Sequence, residues 1–147
     1  MSWSKIIAFV LFGLLQISCT EPPPPGRYDG ALAVAKQYMN FDKLNDGQQI
    51  LFYSKNLGCE GCRKLVERNF DSLLLIPNVY IITNSKKISR QNTNVIFDSL
   101  ALLNQTDMGF AGPTILEKKG KELVYVLEVG AENRDSLMLF IQAAKKP

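Results

Sequence analysis

The chain predicts an α/β domain: a mixed β-sheet, formed by a parallel crossover and then an antiparallel hairpin, with helices on both faces. Three observations carry this. Ile50–Tyr53 and Val79–Thr83 are apolar, strand-like runs separated by a helix-like segment, and strand, helix, strand within one sheet gives a right-handed parallel crossover. Two further runs, 114–117 and 123–129, flank Lys119-Gly120-Lys121, which reads as a hairpin turn. Helical patterns before the first strand and after the last supply the cover for both faces.

Taken in order, Ala31, Leu32, Val34, Ala35, Tyr38 and Met39 recur at helical spacing, and Asn45-Asp46-Gly47 stops them. Residues 49–54 make a compact strand. A single helix over 60–75 follows, with Leu65, Val66, Phe70, Leu73 and Leu74 on one side, then a strand over 79–83. Residues 86–94 are polar and offer no element. Val95-Ile96-Phe97 is a short strand, and 99–106 a helix carrying Leu100, Leu102 and Leu103. Gly109 to Pro113 breaks the chain before the hairpin. Gly130 ends the last strand, and 133–144 forms a closing helix with Leu137, Phe140 and Ile141 inward.

A length of 147 residues suits one domain with a real core. The net charge of +3 names no partner and gives no basic surface for nucleic acid. The first eighteen residues read as an export signal: Lys5 is a thin positive region, Ile6 to Leu15 an apolar stretch too short to span a bilayer, and Ser18 a small residue before Cys19. This arrangement resembles a bacterial lipoprotein signal, which implies that Cys19 is lipidated and becomes the new N-terminus. Gln16 stands where such signals usually carry leucine, and an ordinary cleaved signal and a retained anchor are the alternatives. Residues 19–27, with four consecutive prolines, then form a tether of roughly 3 Å per residue, and 28–147 the domain. The expected location is the bacterial cell envelope, lipid-anchored and periplasm-facing or at the outer membrane, which the absence of aspartate after Cys19 favours.

Three cysteines would leave one unpaired in an exported protein, and lipidation of Cys19 resolves the count. Cys59 and Cys62 then remain in a compartment where disulfides persist. Their CxxC lies between a strand and a helix. If Cys59 caps that helix, unpaired N–H groups and the positive dipole end favour its thiolate. Cys62, one turn on, would be more buried and placed to close a disulfide. Lys55, Arg63 and Lys64 add positive potential, which Glu60 opposes. Two other readings stay open. One is an inert disulfide, worth only about 2 kcal/mol for so short a loop. The other is half of a zinc site, which would need a dimer, because the chain has no histidine and no further cysteine.

With these motifs in order, residues 49–142 resemble the thioredoxin-like superfamily. The run Gly112-Pro113-Thr114-Ile115-Leu116, a glycine-lysine turn, a return strand, Gly130 and a helix matches its second half. The resemblance implies a thiol–disulfide oxidoreductase in which Cys59 attacks, Cys62 resolves, Pro113 is a cis-proline beside the CxxC and Gly112 offers backbone groups to a substrate peptide. An ordinary trans Pro113 is the alternative. The 95–106 insertion, with Asp98 after its strand, is closer to the tethered, extracytoplasmic TlpA- and redoxin-type branch.

The implied partners are protein thiols and disulfides, a redox partner of unstated identity and, through the lipid, a membrane. The implied protein is a monomer without cofactor or metal beyond the Cys59–Cys62 pair. Departures are also clear. Gly58 replaces an aromatic residue before the first cysteine, Glu-Gly replaces Gly-Pro between the cysteines, and Tyr53 stands where a buried acid is usual. They motivate a second reading, a non-catalytic thioredoxin-fold binding lipoprotein using an exposed rim around Phe110 and Gly112. The pattern of a peroxide-reducing cysteine is absent before Cys59, and the lack of histidine excludes serine–histidine hydrolysis.

Overall fold

β1 (Gln49–Tyr53) is apolar on both sides because both sides are covered. Leu51 and Tyr53 face one core, Ile50 and Phe52 the other, and all four are fully buried. A strand buried on both faces reads as a continuous apolar run rather than an alternating one. The computed structural model describes residues 24, 26–88 and 93–145, so the expected signal, the lipidated Cys19 and most of the proline tether lie outside the described residues. No helix among the described residues is long and apolar enough to cross a membrane.

The sheet has five strands in the order β3-β2-β1-β4-β5. β2 (Val79–Thr83) and β3 (Val95–Phe97) run parallel to β1, with Tyr53 opposite Thr83 and Ile81 opposite Val95. β4 (Thr114–Lys119) and β5 (Glu122–Glu128) form the antiparallel hairpin, and β4 pairs with β1. The hairpin turn is therefore the two residues Gly120 and Lys121, tighter than the three-residue turn expected. Asp46 fastens it: one carboxylate oxygen accepts the Gly120 N–H at 2.9 Å and the Lys118 ammonium at 3.1 Å. Those two bonds hold the Asp46 carboxyl below its usual range.

Helices cover both faces. α1 (Asp29–Tyr38) buries Ala31, Val34 and Ala35 against Ile50, Phe52, Ile82 and Leu116, together with Leu103 of α4 (Leu102–Gln105). On the opposite face α2 (Glu60–Arg68), α3 (Phe70–Leu74) and α5 (Arg134–Ala144) contribute Val66, Phe70, Leu73, Leu137 and Ile141, packed with Leu51, Ile81 and Ile115. The mixed α/β class and the two covered faces agree with the sequence reading.

Two helices depart from it. The single helix expected over 60–75 is broken at Asn69, whose side-chain amide donates to the Leu65 carbonyl at 2.9 Å. Such a side chain competes with the backbone ladder and ends the helix there. The helix expected over 99–106 is only one turn, because Asp98 sets its start from outside. Its buried carboxylate accepts the N–H groups of Leu102 at 2.8 Å and Leu103 at 2.9 Å, and Ala101 takes a left-handed φ of 55° to let the chain turn in. The Tyr38 hydroxyl donates to the same carboxylate at 2.5 Å and ties α1 to this corner.

Candidate functional site: a disulfide at a helix N-terminus

The site begins where β1 leaves the sheet. Ser54, fully buried, donates to the Asn104 side-chain oxygen at 2.7 Å and accepts from the Asn84 amide at 2.9 Å and the Asn56 N–H at 3.2 Å. The Lys55 N–H reaches the Asn84 side-chain oxygen at 3.3 Å. The loop leading to the cysteines is thus bolted to the ends of β2 and α4. Gly58 follows with φ +78°, a conformation that favours glycine because a Cβ would crowd the backbone. A Cβ there would also lie 2.9 Å from Pro113 Cδ and 3.0 Å from Gly112 Cα, so the Gly112–Pro113 corner abuts the residue before Cys59.

Cys59 is exposed and stands at the N-cap of α2, in extended conformation, while Cys62 is 4% exposed. The two are joined as a disulfide with Cα atoms 5.1 Å apart. The Cys62 N–H donates to Cys59 Sγ at 3.0 Å. Here the sulfur occupies the place of a capping oxygen and satisfies one of the orphan donors of the first turn. When the disulfide opens, the same N–H and the helix dipole favour negative charge on that sulfur.

The neighbouring charges are largely committed elsewhere. Glu60, between the cysteines, pairs with Lys64 at 2.5 Å, and hydrogen bonding to that ammonium, with its charge, holds the Glu60 carboxyl below its usual range. The opposition to a Cys59 thiolate expected from Glu60 is therefore largely offset by the cation one turn along. Arg63 donates to the Gly58 carbonyl at 2.7 Å and stiffens the approach to Cys59.

Gly112 and Pro113 are both buried, so Gly112 is not part of an exposed rim; Phe110 is half-buried, its ring 5.7 Å from that of Phe52. The Gly112–Pro113 bond is trans, as are all peptide bonds among the described residues, which corrects the expected cis-proline. The surrounding bonds fit this geometry. The Gly112 carbonyl accepts the Thr114 hydroxyl at 2.9 Å, the Pro113 carbonyl accepts the Val129 N–H at 2.8 Å, and the corner enters β4 as ordinary strand. A trans bond is also the lower-energy isomer before proline.

Three features escaped sequence reading. Glu128, the last residue of β5, accepts the Ala111 N–H at 3.0 Å and the Gly112 N–H at 2.8 Å through one carboxylate oxygen. Tyr53, fully buried, donates its hydroxyl to Glu67 of α2 at 2.6 Å. The Ser54–Asn84–Asn104 cluster is the third, and the parallel register would have found part of it, since Ser54 and Asn84 each follow one member of the Tyr53–Thr83 pair. Among the described residues, no group of three or more His, Cys, Asp or Glu side chains is arranged to hold a metal ion. In comparisons with known proteins, the chain matches no family model, no curated protein and no solved structure.

Proposed function

We propose that this chain is a thioredoxin-like thiol–disulfide oxidoreductase, lipid-anchored through Cys19 in a bacterial envelope, that exchanges disulfides with envelope proteins. The observation that carries the reading is the asymmetry of one bonded pair: an exposed Cys59 capping a helix and a buried Cys62 one turn behind it.

The chemistry follows from that asymmetry. In the reduced protein the Cys59 thiolate attacks one sulfur of a substrate disulfide, and the other substrate sulfur leaves as a thiolate. Cys62, having lost its proton to solvent, then attacks Cys59 Sγ and expels the remaining substrate sulfur as a thiolate. The substrate gains two electrons and the Cys59–Cys62 disulfide closes. Run backwards, the same steps oxidise a dithiol.

A glutathione redox titration, with free Cys59 and Cys62 counted by alkylation and mass spectrometry, tests the reading. A reversible transition above roughly −270 mV marks an exchanging pair, and a disulfide still closed well below about −300 mV marks a structural staple. A second reading, a non-catalytic binding lipoprotein on the same fold, draws support from the trans Gly112–Pro113 bond and from the Gly112 N–H being bonded to Glu128. Undiminished partner binding and function in Cys59→Ser would favour it.

A further inference from the structure

Two successive backbone N–H groups, those of Ala111 and Gly112, converge on one oxygen of Glu128. Consecutive amides aimed at one point form a nest for anions and carbonyl oxygens. The nest belongs to the Gly112–Pro113 corner that packs against Gly58, the residue before Cys59, so it lies one residue's contact away from the stretch that carries the exposed cysteine. Ala111 is exposed, and water would satisfy its N–H without any carboxylate.

Glu128 is aimed there by an irregularity in β5. Leu116 pairs with Tyr125 and Ile115 with Leu127, which leaves Val126 as an extra residue opposite no partner. Leu123 therefore packs on the α1 face and Leu127 on the α2 face, where strict alternation would put both on one side. Glu128, next along, returns to the α1 face, where the 108–110 segment runs. Bulges of this kind re-aim a side chain. Its backbone is held as well: the Glu128 N–H donates to the Tyr125 hydroxyl at 3.0 Å, and its carbonyl accepts the Asn133 side-chain amide.

We infer that Glu128 is a gatekeeper of the peptide-docking groups beside the disulfide, and that it selects extended peptides carrying a lysine or arginine next to the reacting cysteine. The inference rests on the reading that substrate backbone docks at this corner. A charged oxygen receiving two N–H bonds outcompetes a neutral peptide carbonyl. An incoming segment must therefore displace it, and a displaced carboxylate is best received by a cation on that segment.

The test uses the full chain and matched peptides with one S-methylated cysteine flanked by Lys, Ala or Glu, so that binding is read without exchange. For the wild type, the Lys peptide should bind about fivefold more tightly than the Ala peptide, the worth of one exposed ion pair. Glu128→Ala should bind the Ala peptide several-fold more tightly than the wild type and lose the preference for Lys. Glu128→Gln keeps an acceptor without charge, so it should lose the preference while remaining partly closed. Unchanged ranking and affinities in both variants, or no binding by any of the three proteins, would overturn the proposal. The glutathione titration, run on the same proteins, judges exchange separately: an inert disulfide sinks the oxidoreductase reading, while the methylated peptides still decide the role of Glu128.

Discussion

Tyr53 and Glu67 meet where β1 faces α2, the buried Tyr53 donating its hydroxyl to the carboxylate of the exposed Glu67 at 2.6 Å. Burial first, then the hydrogen bond to Glu67 and after it the charge of that carboxylate, push the Tyr53 hydroxyl well above its ordinary range. Tyr53→Phe keeps the ring and loses the bond, which should cost about 1 kcal/mol in urea unfolding at neutral pH. The pH dependence has a definite sign. A group whose folded pKa is raised contributes fully below its unfolded value, about 10 for tyrosine, and that contribution is lost as pH rises towards the folded value. Stability measured between neutral and strongly alkaline pH should therefore fall more steeply in the wild type than in Tyr53→Phe.

Gly58→Ala places a Cβ on a left-handed backbone and drives it against Pro113. The conformational strain alone is about 1–2 kcal/mol, and the 2.9 Å approach adds to it. We expect lower thermal stability and slower exchange through Cys59, because relief of the clash moves the loop that carries this cysteine away from the Gly112–Pro113 corner. Wild-type melting and exchange in Gly58→Ala would contradict the close packing described above.

Asp98 gathers three donors from two elements, and its removal leaves them without an acceptor. Asp98→Ala should destabilise by about 2–3 kcal/mol, combining a lost cap with a Tyr38 hydroxyl that keeps the Leu100 N–H but loses the acceptor for its own proton. Tyr38→Phe should cost less. Because the Asp98 corner holds α4, and α4 carries Asn104, amide hydrogen exchange should quicken at Leu102, Leu103 and the 54–57 loop in Asp98→Ala.

Cys62→Ser leaves the exposed cysteine without its resolving partner, and Cys59→Ser leaves the buried one. Incubated with an oxidised peptide, Cys62→Ser should accumulate a stable mixed disulfide through Cys59, detected as a mass shift, while Cys59→Ser should accumulate little. Failure of Cys62→Ser to trap any adduct would count against nucleophilic attack by Cys59.

Much of the sheet was readable because its strands are buried on both faces. β2 and β3 fall at the residues expected, and β1 ends only one residue early, at the polar Ser54. The placement of Cys59 as a cap and of Cys62 behind it followed from spacing and junction alone. Other features depend on contacts that no local pattern records. The break at Asn69 comes from one amide preferring the Leu65 carbonyl, and the start of α4 comes from a carboxylate reaching forward over Ala101. Gly112 could be placed beside the cysteines by resemblance, but its burial and its bond to Glu128 depend on the register of β5. That register was hidden, because Val124, Val126 and Leu127 are all apolar and the pattern does not mark the extra residue. The isomer at Pro113 has no sequence signature of its own.

β5 is one of the two outer strands of the sheet, β3 being the other. An outer strand with an even row of unpaired amides is a template on which another chain can add. The additional residue at Val126 interrupts that row and twists the end of the strand, so a straight strand from a second molecule finds matching partners along only part of β5. Besides aiming a carboxylate, the irregularity thus guards against the growth of a continuous sheet from one molecule to the next.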